Sequence, residues 1–366
     1  MERTGRNGFL RAGHVKGRHI RTGRAGTIFA GAVFAAVVLI CGGCAGKAET
    51  GAGITKIGQD KKLVVYTSHK KEVYEPIIRE FEERTGIWVQ LETGGTTELL
   101  ERIKGESGSH ACDVMFGGGV ESYEVYQELF EPYKSSQSEM LNDHYTSEES
   151  CWTVFTELPI VLIYNNKLVG KAQAPAGWEE LFSKEWQGRI AFADPRKSGS
   201  SCTMLTTMIQ VLGLGERETL EKFAEALEGR MSESSGAVLD EVASGSFLVG
   251  ITLEETAKKY IAKGADISIV YPKEGTSAVP DGCAIVKGAP HRENAGLFLE
   301  FIVSPDVQRL AVEKLFRRTV RTDIPQETAD RKEKLMDFDL EWAVTHQEDI
   351  LKQWSELMNE TEAAGT

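Results

Sequence analysis

The chain has 366 residues, enough for two domains of ordinary size. Hydrophobic residues make up 41% and charged residues 27%, which is typical of a soluble globular protein and excludes a disordered or multi-span membrane chain. The net charge is −13, but residues 1–43 hold seven basic residues and only one acidic residue. The remainder therefore carries 35 basic and 54 acidic residues, which argues against nucleic acid or an anionic membrane surface as a partner. A small anionic ligand is still compatible with this charge, since a cleft can be locally positive.

The N-terminal residues have the pattern of an export signal. A basic segment is followed by an apolar run at residues 25–40 and by the letters CGGC at 41–44, which resemble a bacterial lipobox. We predict a signal peptide over residues 1–43, acylation of Cys44, and a flexible tether over residues 44–61. The alternative is an uncleaved anchor helix, although a bilayer span needs roughly 20 apolar residues. Both interpretations place the body outside the cytoplasm, held at the cell membrane.

The body contains four more cysteines, Cys112, Cys151, Cys202 and Cys283. Their spacings match no zinc, iron–sulfur or redox motif, and the sequence does not indicate a disulfide pairing. We expect them to be small buried hydrophobic residues.

Strand and helix patterns alternate from residue 62 onward. Short apolar runs that end in turns predict strands, and apolar residues at three- and four-residue spacing predict helices. In chain order these are strand 63–66, helix 70–84, strand 87–92, helix 97–104, strand 113–116, extended segment 157–164, helix 178–182, strand 189–192, helices 200–212 and 216–227, strand 248–252, extended segment 267–271, strand 283–286, and helices 295–302 and 305–315. Residues beyond about 330 have the pattern of an amphipathic helix.

This order of elements predicts an α/β protein with two lobes, each a mostly parallel sheet with flanking helices. The two extended segments interrupt the alternation and are interpreted as hinge strands that cross between the lobes. We predict a first lobe over residues 62–160, a second lobe over 161–271, and a return to the first lobe, with the C-terminal helices, over 272–366. Such an arrangement leaves a cleft that can close on a ligand.

Five turns follow the carboxyl ends of predicted strands, where ligands of open α/β sheets bind. The first four are rich in Ser, Thr or Gly and offer hydroxyl and backbone N–H groups. The turns are residues 67–69, 93–97, 117–119, 194–202 and 252–255.

The most specific of these turns is Ser198-Gly199-Ser200-Ser201. It opens an apolar helix, and the start of a helix offers unpaired N–H groups and a partial positive charge. The alternative is that a serine only caps the helix. Three serines around a glycine exceed what one cap needs, so we predict that an anion or a sugar oxygen binds here.

Several charged residues have both a functional and a structural interpretation. His69 either donates to an anion, ligates a metal, or packs against its neighbours. Glu254 and Glu255 either bind a hydroxyl, amine or metal, or stabilise the first turn of a helix. For the arginines at 317, 318 and 321 a solvated face is favoured over contact with an anion.

Catalytic motifs are missing from the sequence. It contains no Gly-x-Ser-x-Gly, no Walker loop and no HExxH. Paired carboxylates occur only within ordinary acidic helix faces. We therefore expect a binding protein with no cofactor rather than an enzyme.

Four segments, in this order, carry a family resemblance: VVYTSHKKEVYEPIIREFEERTGIWV, DVMFGGG, LPIVLIYNNKL and YPKEGTSAVPDGCAIVKGAPHRENA. Together with the export signal they resemble the extracellular solute-binding lipoproteins of ABC importers. The chain is similar, over residues 62–325, to the ferric-ion-, hexose-phosphate- and phosphonate-binding branch of the type II periplasmic-binding fold.

In ferric relatives a histidine, a loop acid and two adjacent tyrosines hold the metal beside a synergistic anion. The resemblance places the histidine at His69 and the tyrosines at Glu254 and Glu255, while the loop containing Gly118 has no carboxylate. The anion cradle falls on donors that this chain retains, namely Ser198, Gly199, Ser200, Ser234 or Ser235, and Thr252.

This chain keeps the residues that bind the synergistic anion in the ferric relatives and lacks most of those that bind the metal. The resemblance therefore implies an organic phosphate or phosphonate as ligand. Its anion is expected at residues 198–201 and at Ser68 and His69. The polar remainder is expected at Thr96, Asp194 or Glu254.

The resemblance implies capture of a small anionic solute and delivery to a membrane permease with its ATPase. The protein is expected to act as a monomer. Ferric iron held by His69, Glu254 and Glu255 is the alternative within transport. A sensor that presents its ligand to a membrane receptor is the alternative from another class, and a lipid-anchored hydrolase is a third.

Overall fold

The computed structural model describes residues 61–106, 111–142, 149–325 and 335–364. The export signal, the acylated Cys44 and the tether predicted above lie outside these residues. The strands of the described part are β1 (Lys62–Thr67), β2 (Trp88–Thr93), β3 (Val114–Gly119), β4 (Thr153–Asn165), β5 (Ile190–Ala191), β6 (Val249–Leu253), β7 (Ile267–Val270), β8 (Ala278–Ile285) and β9 (Arg318–Thr319).

Helices follow most of these strands, as the sequence predicts. They are α1 (Lys71–Thr85), α2 (Thr96–Gly105), α3 (Val120–Val125), α4 (Gly199–Leu212), α5 (Glu216–Leu227), α6 (Ala237–Ser244), α7 (Glu254–Ala262), α8 (Arg292–Ile302), α9 (Pro305–Leu315) and α10 (Leu340–Ala364). Short 3₁₀ helices lie at Gln127–Leu129, Ser138–Met140 and Glu179–Phe182. Among the described helices, none combines the length and hydropathy that a bilayer crossing requires.

The strands form two sheets that share β4. The first sheet contains β2, β1, β3 and β8, with β9 and residues 153–159 of β4; the second contains β5, β6 and β7 with residues 160–165 of β4. Parallel pairing occurs between β1 and β2, β1 and β3, and β5 and β6. Every pair that involves β4 or β8 is antiparallel, because these strands run back between the sheets. The predicted α/β fold with two sheets and crossing segments is confirmed. The sheets are mixed rather than mostly parallel, and β7, in the predicted crossing segment 267–271, pairs with β4 inside the second sheet, so the chain crosses back between β7 and β8.

Where the chain crosses between the sheets, hydrogen bonds join the middle of β4 to the residues just before β8. The N–H of Ile160 donates to the carbonyl of Ser277 at 3.0 Å, and the Thr276 hydroxyl donates to the Ile160 carbonyl at 2.9 Å. The Ser277 hydroxyl also lies 2.6 Å from that of Thr207 in α4. The two crossing segments are therefore bonded to each other and to helix α4.

Apolar side chains cover both faces of each sheet. Helices α1, α8 and α9 pack on one face of the first sheet, so the chain after β8 returns there. The C-terminal helix α10 instead buries Ile350, Trp354, Leu357 and Met358 in the cluster of the second sheet, beside Phe223 of α5. The four cysteines of the body are buried, which agrees with the expectation that they are small packing residues.

Candidate functional site

A cleft of about 480 Å³ lies between the two sheets. The ends of β1, β3 and β8 and the start of α2 form one side, and α4 and β6 form the other. Residues from both sides line it, with a contribution from α10: Ser68, His69, Gly95, Thr96, Thr97, Glu98, Gly118, Gly119, Glu121, Ser122, Leu158, Lys197, Gly199, Ser200, Cys202, Thr203, Thr206, Leu253, Val279, Asp281, Arg317, Ala343 and Gln347.

The cleft brings together part of the predicted site. Four of the five turns that follow strands contribute to it, as expected for ligand positions at the carboxyl ends of strands. The fifth turn contributes only Leu253, and its polar residues lie elsewhere. Of the predicted residues, the structure places these in the lining: Ser68, His69, Thr96, Gly118, Gly199 and Ser200.

Asp194 orders the turn that leads into α4 and is not among the lining residues. Its carbonyl accepts the N–H groups of Lys197 and Ser198, each at 3.0 Å. Its carboxylate accepts two hydrogen bonds from the Arg196 guanidinium, each at 2.8 Å. Burial acts to raise the pKa of Asp194, but the bonds and charge of Arg196 outweigh burial and lower it. The carboxylate is therefore engaged within its own turn.

The three serines at the start of α4 have different environments. Ser198 is the N-cap: its hydroxyl accepts the N–H of Ser201 at 3.3 Å and the Ser201 hydroxyl at 3.0 Å. Ser201 is only 1% exposed, so its hydroxyl is used inside the helix cap. Ser200 lines the cleft, and its hydroxyl lies 3.2 Å from that of Ser198. A Cβ built on Gly199 would meet no atom within 4 Å, so the helix start presents Gly199 to open space and Ser200 to the cleft.

Lys197 adds a positive charge at this position, and the sequence analysis missed it. The residue is exposed and lines the cleft directly before the N-cap. A cation next to a helix N-terminus strengthens the attraction for an anion that the N–H groups create. Its position within the 194–202 turn could have identified it from the sequence.

On the opposite side, His69 is buried in the turn after β1. Its ring lies edge-on to Phe116, with 4.4 Å between the centroids. Gly117 has φ +104°, and a Cβ there would lie 3.0 Å from the His69 ring. A glycine is therefore required at this position by both the backbone conformation and the close approach of the histidine.

A buried ion pair lies beside His69. Asp281 accepts the N–H of Gly118 at 3.0 Å and a hydrogen bond from Nη1 of Arg317, and its Oδ2 lies 3.4 Å from Nε2 of His69. Arg317 Nε lies 4.0 Å from Oε1 of Glu255. Burial lowers the pKa of His69 to about 4, because the attraction of Asp281 only partly offsets desolvation. The imidazole is therefore neutral at pH 7.

Two nitrogens beside the cleft retain unused hydrogen-bonding capacity. Within the described residues, the buried Nε2 of His69 and Nε of Arg317 make no hydrogen bond. Both residues line the cleft and are at least nine-tenths buried. Unsatisfied buried polar groups are costly and are often found at functional sites.

Glu254 and Glu255 bind internal cations. Glu254 accepts Nε of Arg318 at 2.9 Å and lies 2.7 Å from Nζ of Lys258. Glu255 pairs with Lys259. Burial acts to raise the pKa of both glutamates, but the neighbouring cations outweigh it and lower both values. Neither carboxylate is among the cleft-lining residues.

The expectation of a solvated arginine face is wrong. Arg317, Arg318 and Arg321 are 8%, 8% and 5% exposed, because buried carboxylates and carbonyls surround their guanidinium groups. The predicted metal ligands also fail to assemble: the described residues contain no group of three His, Cys, Asp or Glu that could hold a metal ion. The Arg317 guanidinium already lies against Asp281, next to His69.

The remaining predicted residues lie away from the cleft lining. Thr252 is 4% exposed in β6, where it pairs with Val161 of β4, and it is not a lining residue. Ser235 is exposed in the segment before α6 and is not a lining residue.

Other cleft residues were not found by sequence reasoning. Glu121 lies in the first turn of α3 and accepts a hydrogen bond from Thr203 of α4 at 3.0 Å, so it connects the two sides of the cleft. Burial raises the pKa of Glu121 above its ordinary value. Gln347 comes from α10, far along the chain, and no local pattern marks it.

Comparison with known proteins gives the relatives of this chain. Iron uptake protein A1 of Synechocystis sp. is 28% identical over 287 residues, which cover 73% of this chain and 78% of that protein. A Salmonella typhi protein named for binding 2-aminoethylphosphonate is 21% identical over 254 residues, 67% of this chain and 73% of that protein.

A solved structure supports the same fold. The periplasmic binding protein AfuA from Actinobacillus pleuropneumoniae, with fructose 6-phosphate bound, matches with a TM-score of 0.72 at 24% identity. The match covers 81% of this chain and 98% of that one. A family model described as bacterial extracellular solute-binding protein matches residues 111–343, which is more than half of the chain. The resemblance inferred from the sequence motifs is thereby confirmed, and the protein belongs to the bacterial extracellular solute-binding family.

Proposed function

We propose that this solute-binding protein of the ABC-importer type captures an organic phosphate or phosphonate in its cleft. The observation that carries the proposal is the start of α4, where Gly199 and Ser200 face the cleft beside Lys197. Backbone N–H groups, a hydroxyl and an ammonium together form a donor set that suits an anion.

The opposite side of the cleft adds a second reason. Nε2 of His69 and Nε of Arg317 are buried without a hydrogen-bond partner among the described residues, and both residues line the cleft. A bound oxyanion accepts hydrogen bonds from such groups. Contacts from both sides are what a ligand needs to favour closure of the lobes.

The size and charge of the cleft favour an organic ligand over a bare metal ion. A volume of about 480 Å³ lies within the range of small-molecule pockets. The carboxylate nearest to His69 is already paired with Arg317, so a ferric ion would have to displace an internal cation. The glutamates that the iron alternative requires are paired with Arg318 and Lys259.

Capture and delivery follow from this arrangement. A first lobe of residues 62–160 with 272–325, and a second lobe of residues 161–271 with α10, would open and close about the crossing segments at Ile160 and Ser277. Acylation of Cys44 and the tether over 44–61 would hold the protein near a permease driven by an ATPase. The protein itself would catalyse no reaction.

Thermal unfolding of the purified protein with candidate ligands tests the proposal. Fructose 6-phosphate, 2-aminoethylphosphonate, inorganic phosphate and ferric citrate are compared. A ligand at 100 times its Kd adds about 2.7 kcal/mol to the stability, which raises the unfolding midpoint measurably. A shift with an organic phosphate or phosphonate supports the proposal, and a shift with ferric citrate alone contradicts it.

A pair of serine variants then tests the position of the anion. Ser200→Ala removes a hydroxyl from the cleft and should weaken binding of the active ligand about 10- to 100-fold, the usual value for a hydrogen bond to a charged group. Ser201→Ala is the matched control, because its hydroxyl is buried against Ser198. Titration calorimetry measures both. Equal affinities in the two variants would show that the anion does not bind at the start of α4.

A further inference from the structure

Most of helix α10 lies beyond the family match, which ends at residue 343. The helix is attached to the second lobe at two levels. At its start, the Gln210 side chain in the last turn of α4 donates to the Asp339 carbonyl and accepts the Asp339 N–H, each at 3.0 Å. Further along, the buried Trp354 ring lies 5.8 Å from the Phe223 ring of α5, measured between centroids. We therefore expect α10 to move as one body with α4 and α5.

The first turn of α10 also reaches the first lobe. The Leu340 side chain packs against the apolar cluster that α2 and α3 form on the first sheet, which includes Tyr123 and Trp152. Trp342 packs instead against the cluster of the second sheet. Residues two positions apart lie about 200° apart around a helix, so these two side chains point in nearly opposite directions. The first turn of α10 therefore lies between the lobes and contacts each of them.

The face of α10 that begins at Leu340 continues along the cleft. Leu340, Ala343 and Gln347 are separated by three and four residues, so they share one side of the helix, and the last two line the cleft. Close to them, Glu121 of α3 accepts the Thr203 hydroxyl of α4 at 3.0 Å. The two lobes thus meet along a seam formed by α3, α4 and the start of α10.

The segment that leads into α10 is bonded to the place where the chain crosses between the lobes. The N–H of Met336 donates to the Thr276 carbonyl at 2.9 Å, next to the bond between Ile160 and Ser277. The helix therefore starts beside the crossing segments, is anchored in the second lobe, and contacts the first lobe through Leu340. Rotation of one lobe against the other about the crossing segments changes the distance between Leu340 and the first lobe.

We propose that the first turn of α10 is a closing strap: Leu340 seats on the first lobe in the closed form and leaves it in the open form, so that this contact sets the fraction of closed protein before a solute binds. The inference goes beyond the proposed function and does not depend on the class of solute. Burial of an aliphatic side chain is favourable, and a contact made in one state alone shifts the population toward that state. A ligand that needs the closed form binds more tightly when that form is already populated.

Small-angle X-ray scattering of the full chain without ligand tests the strap. Leu340→Ala removes most of the contact and should raise the radius of gyration, because the open form becomes more populated. Leu340→Met keeps a side chain of similar volume and should stay near the wild type. Leu357→Ala is the matched control, because it removes the same atoms from the same helix within the cluster of the second sheet. It should lower the unfolding midpoint without changing the radius of gyration.

Titration calorimetry gives a second measure, with fructose 6-phosphate and 2-aminoethylphosphonate as probes. Closure is common to all solutes held between the lobes, so Leu340→Ala should weaken each probe that binds the wild type by the same factor, about 3- to 10-fold. Leu357→Ala should leave both affinities unchanged. A loss for one probe without the other would place Leu340 in the recognition of that solute and overturn the strap.

The scattering result decides the inference independently of the solute. Equal radii of gyration in Leu340→Ala and the wild type overturn the strap, and so does an equal rise in Leu340→Ala and Leu357→Ala, which would mean that any loss of packing in α10 loosens the protein. Failure of every organic phosphate and phosphonate to bind overturns the proposed function alone, because the scattering measurement contains no ligand.

Discussion

The two sides of the cleft use their polar residues differently. On the histidine side, defined by His69, Asp281 and Arg317, the carboxylate and the guanidinium are buried and paired with each other beside a neutral imidazole, and only Nε2 of His69 and Nε of Arg317 make no hydrogen bond among the described residues. On the serine side, defined by Lys197, Gly199 and Ser200, small donors line the cleft at the start of α4. The more conspicuous charged residues therefore stabilise the fold, while small residues at a helix start remain available to a ligand.

The physical reason is the cost of burying charge. An ion taken out of water needs a partner of opposite charge and further hydrogen bonds, so buried carboxylates and guanidinium groups recruit each other during folding. Hydroxyls and the N–H groups of a helix start remain satisfied by water until a ligand replaces it. This difference between the sides leads to three measurable consequences.

The largest effect is expected where a buried ion pair is broken. Arg318→Met leaves the Glu254 carboxylate, which is 1% exposed at its side chain, without its guanidinium partner. The expected loss is about 3–5 kcal/mol in the free energy of unfolding, measured by urea denaturation. Lys167→Met is the control, because the Lys167–Asp266 pair has side chains 69% and 43% exposed and should contribute at most about 1 kcal/mol.

Variants of Glu254 and Arg318 also distinguish a glutamate that stabilises the fold from one that binds the solute. The double variant Glu254→Gln with Arg318→Met should recover part of the stability, because no uncompensated charge is left buried. Retention of stability in Glu254→Gln, together with lost ligand affinity, would instead show that this carboxylate binds the solute.

Sequence reasoning located the fold better than the side-chain partners. Helices α5 and α9 begin and end where the apolar periodicity predicts, because local spacing determines which face packs. Strand β4 extends to residue 153, beyond the predicted segment, because its first half pairs with β8 from a distant part of the chain. Helix α6 was not predicted, because its N-cap is Gly236, which has no side chain that would mark the start of a helix.

The site shows the same limit. The strand–turn–helix rule located the turn at Ser200, since the carboxyl ends of strands and the starts of helices are local features. The partners of Glu254 and the position of Gln347 depend on contacts between residues far apart in sequence: Arg318 is 64 residues from Glu254. Pairing at such separations is decided by the tertiary fold and leaves no local pattern.

A smaller effect is expected from the neutral histidine of the paired side. The groups that face His69 are Asp281, Arg317, Glu255 and Lys259, and burial lowers its pKa to about 4 from 6.5. Because the unfolded chain takes up a proton below pH 6.5 and the folded chain does not, stability should fall as the pH drops from 6.5 to 4. The contribution of this one group is about 3 kcal/mol over that interval.

Urea midpoints at pH 4 to 7 measure this effect. His69→Gln should show a shallower fall in stability with acid than the wild type. His346→Gln, which removes a histidine of α10 whose Nδ1 lies 2.8 Å from the Trp342 carbonyl, is measured beside it as the comparison at a histidine outside the paired side. An identical pH profile for His69→Gln and the wild type would mean that the imidazole is protonated in the folded protein at the same pH as in the unfolded chain.

The smallest effect is expected at the open edge of the serine side. Lys197 is exposed, so its attraction for a phosphate is weakened by water and by salt, and Lys197→Ala should reduce the affinity only about 2- to 5-fold. The difference should nearly vanish at 1 M salt, where the screening length falls to about 3 Å. Lys171→Ala, which removes another exposed lysine outside the cleft lining, should match the wild type at every salt concentration. A loss of affinity in Lys197→Ala that does not depend on salt would mean that the ammonium is desolvated in the complex. The contrast between a buried, paired side and an exposed donor side would then hold for the free protein alone.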